Sequence, residues 1–461
     1  MRARFPFRSV PARPRAFLLL ALAACTLEPA GTQDEFARLR DAGTAWSAPP
    51  ARRELPELPD EPARDDVVAR ALLANGGLEA AWHEWRAALE GVLVASGWPN
   101  TDLSVGLTSF IGNGSAWDTG AVSLGFDPMQ MLLLPQKVRQ AGEVAFEEAL
   151  AAGRRFEAQR LALRAEVLSD WAEWSALGER LAAQEENLAL LESLERQGRA
   201  AVGTGAPQAT LLDRQVELVE ARNALATLRA EVDGRRAALN ARLLREPEAP
   251  LALPAAPEAA RPRPSDADIL RAGIAANPEL AALAHESAAR GEAAELAALR
   301  WFPNVAPSAQ AGGGMDESLS LGFTLPITVP SVRAAIRQAQ AQAEAAAARL
   351  RQGALDARAA LAAELSALHA DEQVLAALTD ALAPTAQALV DNRRRAYVTG
   401  AGGLAELIEA QRALLELRVA RAEAAAARET RLASIERITG VDFTRLAEPH
   451  ADVAIAGEEV P

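Results

Sequence analysis

The chain is poor in several residue types that common folds and sites require. It has one cysteine, Cys25, so no disulfide can form within the chain. Aromatic residues make up 4% of the sequence although half of it is hydrophobic, which suits close helix–helix packing better than a large globular core. The net charge of -14 gives no support to nucleic-acid binding. No stretch is long and apolar enough for a transmembrane helix, so a chain that crosses a membrane must do so as a closed barrel.

Catalytic and metal-binding patterns are missing as well. The sequence has no phosphate-binding loop, no nucleophile elbow and no Cys/His pair. Gly203-Thr204-Gly205 follows a predicted helix, not the strand that a nucleotide fingerprint needs. The histidines share no ligand-like spacing; they are His83, His285, His369 and His450. We therefore predict a protein that is not an enzyme and that holds no metal or other cofactor.

The first residues have the pattern of a secretory signal. Arginines without acidic residues precede a short apolar run, Phe17–Ala24, which ends in small residues before Cys25. The Leu22-Ala23-Ala24-Cys25 segment resembles a bacterial lipobox, which implies that residues 1–24 are removed and that Cys25 is acylated. Thr26 in place of Asp after that cysteine favours the outer membrane by the same resemblance. The simpler alternative is an ordinary signal peptide in which Cys25 is incidental.

A long helical hairpin with a glycine-rich tip dominates the first half. From Lys137 to Ala201 there is no proline, and helix-favouring residues prevail. Residues 202–208 interrupt the helix. Apolar residues then recur every seven positions, which predicts a coiled-coil partner; they are Leu211, Leu218, Leu225, Val232 and Leu239.

Two segments alternate between apolar and polar residues and predict β-hairpins. The first pair of strands is expected at about 102–110 and 121–128, around a loop rich in Gly, Asn and Asp. The second pair is expected at about 304–312 and 318–326. Each hairpin precedes a long helix.

The second half repeats the first. Ser-Leu-Gly-Phe occurs at 123–126 and again at 320–323, and a second glycine tip lies at 398–404. Past the tips, matches hold at an offset of 196 residues; among them are Leu211/Leu407, Gln215/Gln411 and Arg222/Arg418. The predicted divisions are a tether at 25–64, a first repeat at 65–246, a linker at 247–264, a second repeat at 265–441 and an acidic tail at 442–461.

The predicted fold is mainly α with a small β part, in which a helix, a β-hairpin and a long α-hairpin occur twice. Four strands per chain cannot close a membrane barrel, because the smallest has eight, but three chains would supply twelve. About 65 residues of unbroken helix would extend roughly 100 Å, which suits a protein that spans a periplasm.

At this point the sequence resembles the TolC-type outer membrane efflux family over about Asp66–Val441. The resemblance is carried by Asn277-Pro278-Glu279-Leu280, by the duplicated order of elements, and by the segments that follow the tips, VGTGAPQATLLDRQVELVEARNAL and YVTGAGGLAELIEAQRALLELR. Many lipoprotein members have a Gly-Pro-Asp-Tyr-like motif after the acylated cysteine, whereas this chain has Thr26-Leu27-Glu28-Pro29.

The resemblance implies a homotrimer with a twelve-stranded outer-membrane β-barrel and a periplasmic α-helical tunnel. Such a trimer is the passive exit duct of a tripartite pump in a Gram-negative-type bacterium. Its implied partners are outer-membrane lipids, a periplasmic adaptor and an inner-membrane transporter of RND type. Two alternatives stay open: the outer membrane channel of type I secretion, and a lipid-anchored periplasmic coiled-coil adaptor.

Several residues have both a structural and a functional interpretation. The tip glycines either turn the chain or also allow an adaptor helix to approach; they are Gly203, Gly205, Gly400, Gly402 and Gly403. Acidic residues after the tips either favour the helix N-termini or form a cation-preferring ring at the tunnel entrance; they are Asp213, Glu217, Glu406 and Glu409. Trp98 and Trp301 are candidates for an interfacial aromatic girdle, and Pro384 should kink its helix.

Overall fold

The computed structural model describes residues 27–46, 53, 55–98, 101–107, 120–126, 134–203, 208–254, 260–312 and 317–443. The chain divides into two compact units. Unit 1 comprises Met1–Ala42, Trp82–Gly153 and Ala282–Arg351, and unit 2 comprises Gly43–Ala81, Arg154–Ala281 and Gln352–Pro461. The structure is mainly helical with a small sheet, as predicted.

A four-stranded antiparallel sheet lies in unit 1. Its strands follow one another in chain order, and they are β1 (Thr101–Leu107), β2 (Gly120–Phe126), β3 (Asn304–Gly312) and β4 (Glu317–Thr324). The pairing of β2 with β3, in which Leu124 faces Ala309, joins the two sequence repeats in one sheet. The described strands of the first pair end at Leu107 and Phe126. Their predicted ends, at about residues 110 and 128, lie outside the described residues.

The N-terminal segment contains a helix that contacts Trp82 in unit 1. α1 (Thr32–Ala42) is helical where an extended tether was predicted, so that part of the prediction is wrong. Its Leu39 is buried, and the carbonyl of Leu39 accepts a hydrogen bond of 3.0 Å from Nε1 of Trp82. The apolar residues of α1 were too few for a sequence pattern, and a tertiary contact stabilises the helix instead.

The helical segment that precedes β1 is divided in two. α2 (Arg64–Ala74) and α3 (Gly76–Ala95) meet at Asn75, whose Oδ1 accepts a hydrogen bond of 2.9 Å from the backbone N–H of Leu78. The corresponding Asn277 precedes α7 (Pro278–Ala298) and accepts from the N–H groups of Glu279 and Leu280. Both asparagines therefore cap a helix N-terminus.

The first α-hairpin is formed by α4 (Pro135–Gly203) and α5 (Gln208–Arg242). Of the predicted seven-residue stripe, all but Leu211 are buried, which confirms the coiled-coil pattern; the buried members are Leu218, Leu225, Val232 and Leu239. Beside this seam, arginines of α5 pair with glutamates of the unit 2 part of α4. The pairs are Arg222–Glu192 (3.0 Å), Arg229–Glu185 (2.7 Å), Arg235–Glu173 (2.9 Å) and Arg242–Glu166 (2.7 Å).

The linker between the repeats is held in unit 2 by a buried cation. Arg261 donates to Glu436 at 2.8 Å and to Glu429 at 2.7 Å, and the side chains of Arg261 and Glu436 are each 3% exposed. Burial opposes its charge, yet these two carboxylates raise the pKa of the Arg261 guanidinium. The helix α6 (Asp266–Ala272) begins directly after this linker, so the ion pair fixes the start of the second repeat.

The second α-hairpin contains one turn of π-helix. α8 (Val329–Ala376) continues through a π-turn at Ala377–Leu382 into α9 (Ala383–Val398), and α10 (Leu404–Thr439) returns beside them. Leucines of α8 pack against α10 in one cluster with Leu432, Ile435 and Ile438; they are Leu361, Leu365 and Leu368.

Side chains that face α10 recur three or four residues apart, except for one gap of five between Leu378 and Ala383. A π-turn holds one residue more than an α-turn, so the gap coincides with it. Pro384 has no N–H, and its ring would meet the carbonyl of Asp380 in a regular α-helix. The kink expected at Pro384 thus takes the form of a π-turn directly before it.

Removing one residue from the π-turn should be tolerated, whereas removing one from α8 should not. In a Pro384→Ala background, deletion of Ala377 converts the turn to regular helix and keeps Val390 against α10. Deletion of Ala370 rotates all later side chains by about 100° and exposes Val390. We expect only the second deletion to lower the thermal unfolding midpoint measured by circular dichroism.

Equal midpoints for the two deletion variants, or a lower one for the Ala377 deletion, would contradict this account. The Pro384→Ala variant without a deletion is the matched reference.

Candidate functional site: the hairpin tips

The second tip is a tight reversal between α9 and α10. Gly400 has a φ of 73°, in the left-handed region. The N–H of Ala401 donates to the carbonyl of Ala396 at 2.8 Å, and the N–H of Gly400 donates to that of Tyr397 at 3.1 Å. These two bonds form a Schellman motif, which uses carbonyls that the end of α9 leaves unpaired.

The three glycines of this tip differ in what requires them. Gly400 is required by its left-handed backbone. A Cβ on Gly402 would lie 3.1 Å from the Cβ of Ala396, so close packing within the turn disfavours a larger residue there. A Cβ on Gly403 would meet nothing within 4 Å, and its φ is -84°. The turn therefore explains Gly400 and Gly402, whereas Gly403 is the N-cap of α10, where glycine is preferred over alanine but no contact excludes a side chain.

Apolar and basic side chains are exposed beside this turn. Tyr397 and Val398 close α9 and are both exposed. Arg393 reaches across the hairpin to Glu406 of α10 at 2.5 Å. The exposed surface of the tip therefore consists of the Tyr397 ring, the Val398 side chain and the backbone of a glycine-rich turn.

The first tip is described only in part. α4 ends at Gly203 and α5 begins at Gln208, while Gly205 lies outside the described residues. α10 begins at Leu404, which keeps the predicted offset of 196 between the helices that leave the two tips.

One carboxylate at the first tip was missed from the sequence. Glu195 on α4 pairs with Arg199 and accepts from Gln215 of α5 at 3.4 Å. The hydrogen bond from Arg199 lowers the pKa of the Glu195 carboxyl, so this group stays anionic. The sequence signal for this ion pair is the spacing of Glu195 and Arg199, which are four residues apart on one helix.

The acidic residues proposed for an entrance ring fall into two groups. Glu406 is paired with Arg393, and Glu217 is paired with Arg214 at 2.9 Å. Asp213 and Glu409 are exposed and have no ion pair among the described residues. Two of the four charges are therefore balanced within the chain, and the cation-preferring ring remains a prediction.

The remaining candidates have structural surroundings. Trp301 is exposed at the start of β3 and Trp98 is half-buried. Nearby, Nζ of Lys137 donates to the carbonyl of Phe302 and to Oδ1 of Asn304, each at 2.7 Å. The girdle interpretation of the tryptophans stays a prediction. Cys25 lies outside the described residues.

Metal-binding and membrane-spanning features were searched over the described ranges. No group of three or more His, Cys, Asp or Glu side chains there could hold a metal ion. His285 pairs with Glu147 at 2.8 Å and His369 with Asp266 at 2.9 Å, whereas His450 is outside those ranges. No helix in this part of the chain is long and apolar enough to cross a membrane.

These features define a class: a duplicated protein in which long α-hairpins with glycine tips accompany a small antiparallel sheet. The family model of the outer membrane efflux protein matches residues 270–441, which contain the second tip. A comparison with curated protein sequences finds no match.

Solved structures share this fold. The outer-membrane channel OprN is 22% identical, with 84% of this chain and 91% of that one covered at a TM-score of 0.66. VceC of Vibrio cholerae is 16% identical, with 82% and 96% covered at 0.66. The CmeC channel of Campylobacter jejuni is 14% identical, with 87% and 93% covered at 0.67.

At these identities the likeness to solved structures establishes the fold, and the family match adds the sequence signal. Residues 270–441 match the family model of the outer membrane efflux protein, in agreement with the resemblance noted from the sequence.

The tip geometry predicts different responses to one added methyl group. Gly400→Ala forces a Cβ into a left-handed backbone and should cost about 1–2 kcal/mol locally. Gly403→Ala meets open space and loses only the preference for glycine over alanine at the N-cap of α10, so the turn itself should be unaffected. We expect hydrogen exchange at the amides of residues 396–402 to accelerate in the first variant only; acceleration in Gly403→Ala would show that the turn also needs that glycine.

Proposed function

We propose that the chain is the outer membrane channel component of a tripartite efflux pump, a passive exit duct from the periplasm to the exterior. The observation that carries this proposal is the family match over the second repeat, which includes the exposed tip. The printed names of OprN and CmeC describe outer-membrane channels, and the fold similarity covers more than four fifths of this chain. A duct needs no catalytic group.

In this proposal three copies assemble as a homotrimer. Each chain contributes the four strands of its sheet, and twelve strands close a barrel of ordinary size, whereas four do not. The α-hairpins form the periplasmic tunnel. The antiparallel order β1-β2-β3-β4, with both repeats in one sheet, supports a repeated strand contribution. It does not favour the alternative of a coiled-coil adaptor, because an adaptor would not need strands of both repeats joined in one sheet.

The periplasmic adaptor would dock on the tips, and an inner-membrane transporter of RND type would supply energy. Exposed Tyr397 and Val398 offer apolar contact, and the exposed N-cap Gly403 leaves the backbone accessible beside them. A type I secretion channel would use the same duct with a different transporter, and no described residue favours it.

A lipid anchor on Cys25 fits the position of the residues that follow it. The N–H of Leu27 donates to the carbonyl of Ser96 at 3.1 Å, and Ser96 is buried five residues before β1 begins. Cys25 is two residues before Leu27 in the sequence.

Docking at the second tip predicts that Gly403→Leu abolishes efflux without reducing the amount of assembled protein. The host lacks its own outer membrane channel and carries the cognate adaptor and transporter, and retention of ethidium measures efflux. Gly234→Leu is the matched control, because Gly234 is exposed on α5, far from the second tip in sequence, and a Cβ there also meets nothing within 4 Å.

Wild-type efflux in Gly403→Leu would refute docking at this glycine. Absence of efflux and of bilayer conductance in the unmodified protein would refute the duct itself.

Acylation predicts that Cys25→Ser removes incorporation of radioactive palmitate. Because a single acyl chain gives marginal membrane binding, the barrel should still hold this variant in the outer-membrane fraction. Palmitate incorporated equally by both proteins would contradict the lipid anchor, and release of the variant into the periplasm would contradict the spanning sheet.

A further inference from the structure

A partly enclosed cavity lies in unit 2 between α4, α8 and α10. Its walls include the ring of Trp171 on α4, the side chain of Leu375 near the end of α8, and Ala425 on α10. The volume of the cavity is about 90 Å³. Because roughly 10–15 Å³ is enough to hold one water, the cavity has room for several waters or for one small organic molecule.

The cavity exists because α10 has no large apolar residue at this level. Between Val419 and Leu432 this helix has no apolar residue larger than alanine. Alanines of α4 and α10 line the cavity; they are Ala172, Ala176, Ala422, Ala425 and Ala426. Further along the same seam, leucines of α8 fill the corresponding space beside Leu432. Since protein interiors are usually close-packed, a gap of this size within the seam is a place that a ligand can fill.

The charged side chains of the lining are paired with side chains of opposite sign. The pairs are Glu179–Arg418 (3.2 Å), Arg428–Glu429 (3.0 Å), Arg428–Glu372 (3.2 Å) and Arg64–Asp65 (3.9 Å). In the described part of the lining, each charge therefore has its own counterion. An ionic ligand would enter this apolar space without a free partner, whereas an uncharged ligand would not meet that cost.

One polar group of the lining is available to a ligand. Among the described residues, the hydroxyl of Ser175 makes no hydrogen bond, and Ser175 lies one helical turn after Trp171 on the face of α4 that lines the cavity. A serine hydroxyl can both donate and accept a hydrogen bond. The ring of Trp171 offers a second aromatic ring an edge-to-face or offset-stacked contact. The lining thus combines an aromatic wall with a single hydrogen-bonding group.

From these observations we infer that the cavity binds a small uncharged aromatic molecule with one hydrogen-bonding group, as in a phenol. The ring of this ligand packs between Trp171, Leu375 and the alanines, and its hydroxyl bonds to Ser175. The ligand contacts α4 of the first hairpin and both α8 and α10 of the second, so its binding stabilises the contact between the two hairpins. The inference goes beyond the proposed function, because the site uses residues of one chain and requires no conducting assembly.

Binding of 4-fluorophenol to the full-length chain in detergent micelles tests this site, with the fluorine NMR line width as the readout. Ala425→Leu places a larger side chain in the cavity and should abolish saturable binding. Ala424→Leu is the matched control, because Ala424 is also half-buried on α10 but is not part of the described lining, and it should bind as the unmodified chain does. Ser175→Ala should weaken binding several-fold through loss of one hydrogen bond.

The charge of the ligand is tested with 4-fluorobenzoate, which is an anion at neutral pH and should not bind. Saturable binding of 4-fluorophenol by Ala425→Leu equal to that of the unmodified chain would overturn the inference. Loss of binding in Ala424→Leu, or equal affinity for the benzoate, would contradict it as well. Circular dichroism shows whether Ala425→Leu folds; if it does not, unchanged binding by Ser175→Ala overturns the inference. None of these results changes with bilayer conductance, so the proposed duct is tested separately.

Discussion

The apolar seam between antiparallel helices is the constraint on which unit 2 depends. A helix of this chain has few aromatic residues to bury, so its leucines must meet those of a neighbour along its whole length. Leu218, Leu225 and Val232 do so in the first hairpin, and Leu361, Leu365 and Leu368 do so in the second. Side-chain spacing along the seam determines which residues are left facing outward.

The ion pairs beside the seams have a secondary role, with one exception. The exposed Arg–Glu pairs between α4 and α5 contribute little stability each, since water screens them. Arg261 differs because both it and Glu436 are buried, and removal of either charge would leave the other uncompensated. Here a charged contact fixes where the linker ends and the second repeat begins.

The sequence predicted the features that depend on local pattern. The heptad of α5, the two interruptions and the offset of 196 residues follow from helix periodicity and from residues that helices avoid. Features set by tertiary contact were not predictable. The helical form of α1 depends on Trp82, and the division at Asn75 depends on a single cap. The π-turn could not be predicted because a proline can equally produce a simple kink. A seven-residue pattern continued from Leu368 and Leu375 would have placed Leu382 and Leu389 against α10, where they do not lie.

The tips show the same limit on a smaller scale. Glycine content predicted a reversal, but only the backbone angle of Gly400 and the space beside Gly402 and Gly403 separate the glycines that the reversal requires from Gly403, which caps α10 and has room for a side chain. Likewise, the acidic residues were visible in the sequence, whereas the arginines that neutralise Glu217 and Glu406 became evident only with the side chains in place.

The central claim is that two hairpins of one chain form one segment of a duct wall that identical copies complete. Electron cryomicroscopy of the full chain in lipid nanodiscs tests this claim most directly. The account predicts a threefold ring with a central passage, in which the hairpins of the three copies alternate around the wall. A single chain, or an assembly whose hairpins fill the centre and leave no passage, would contradict it.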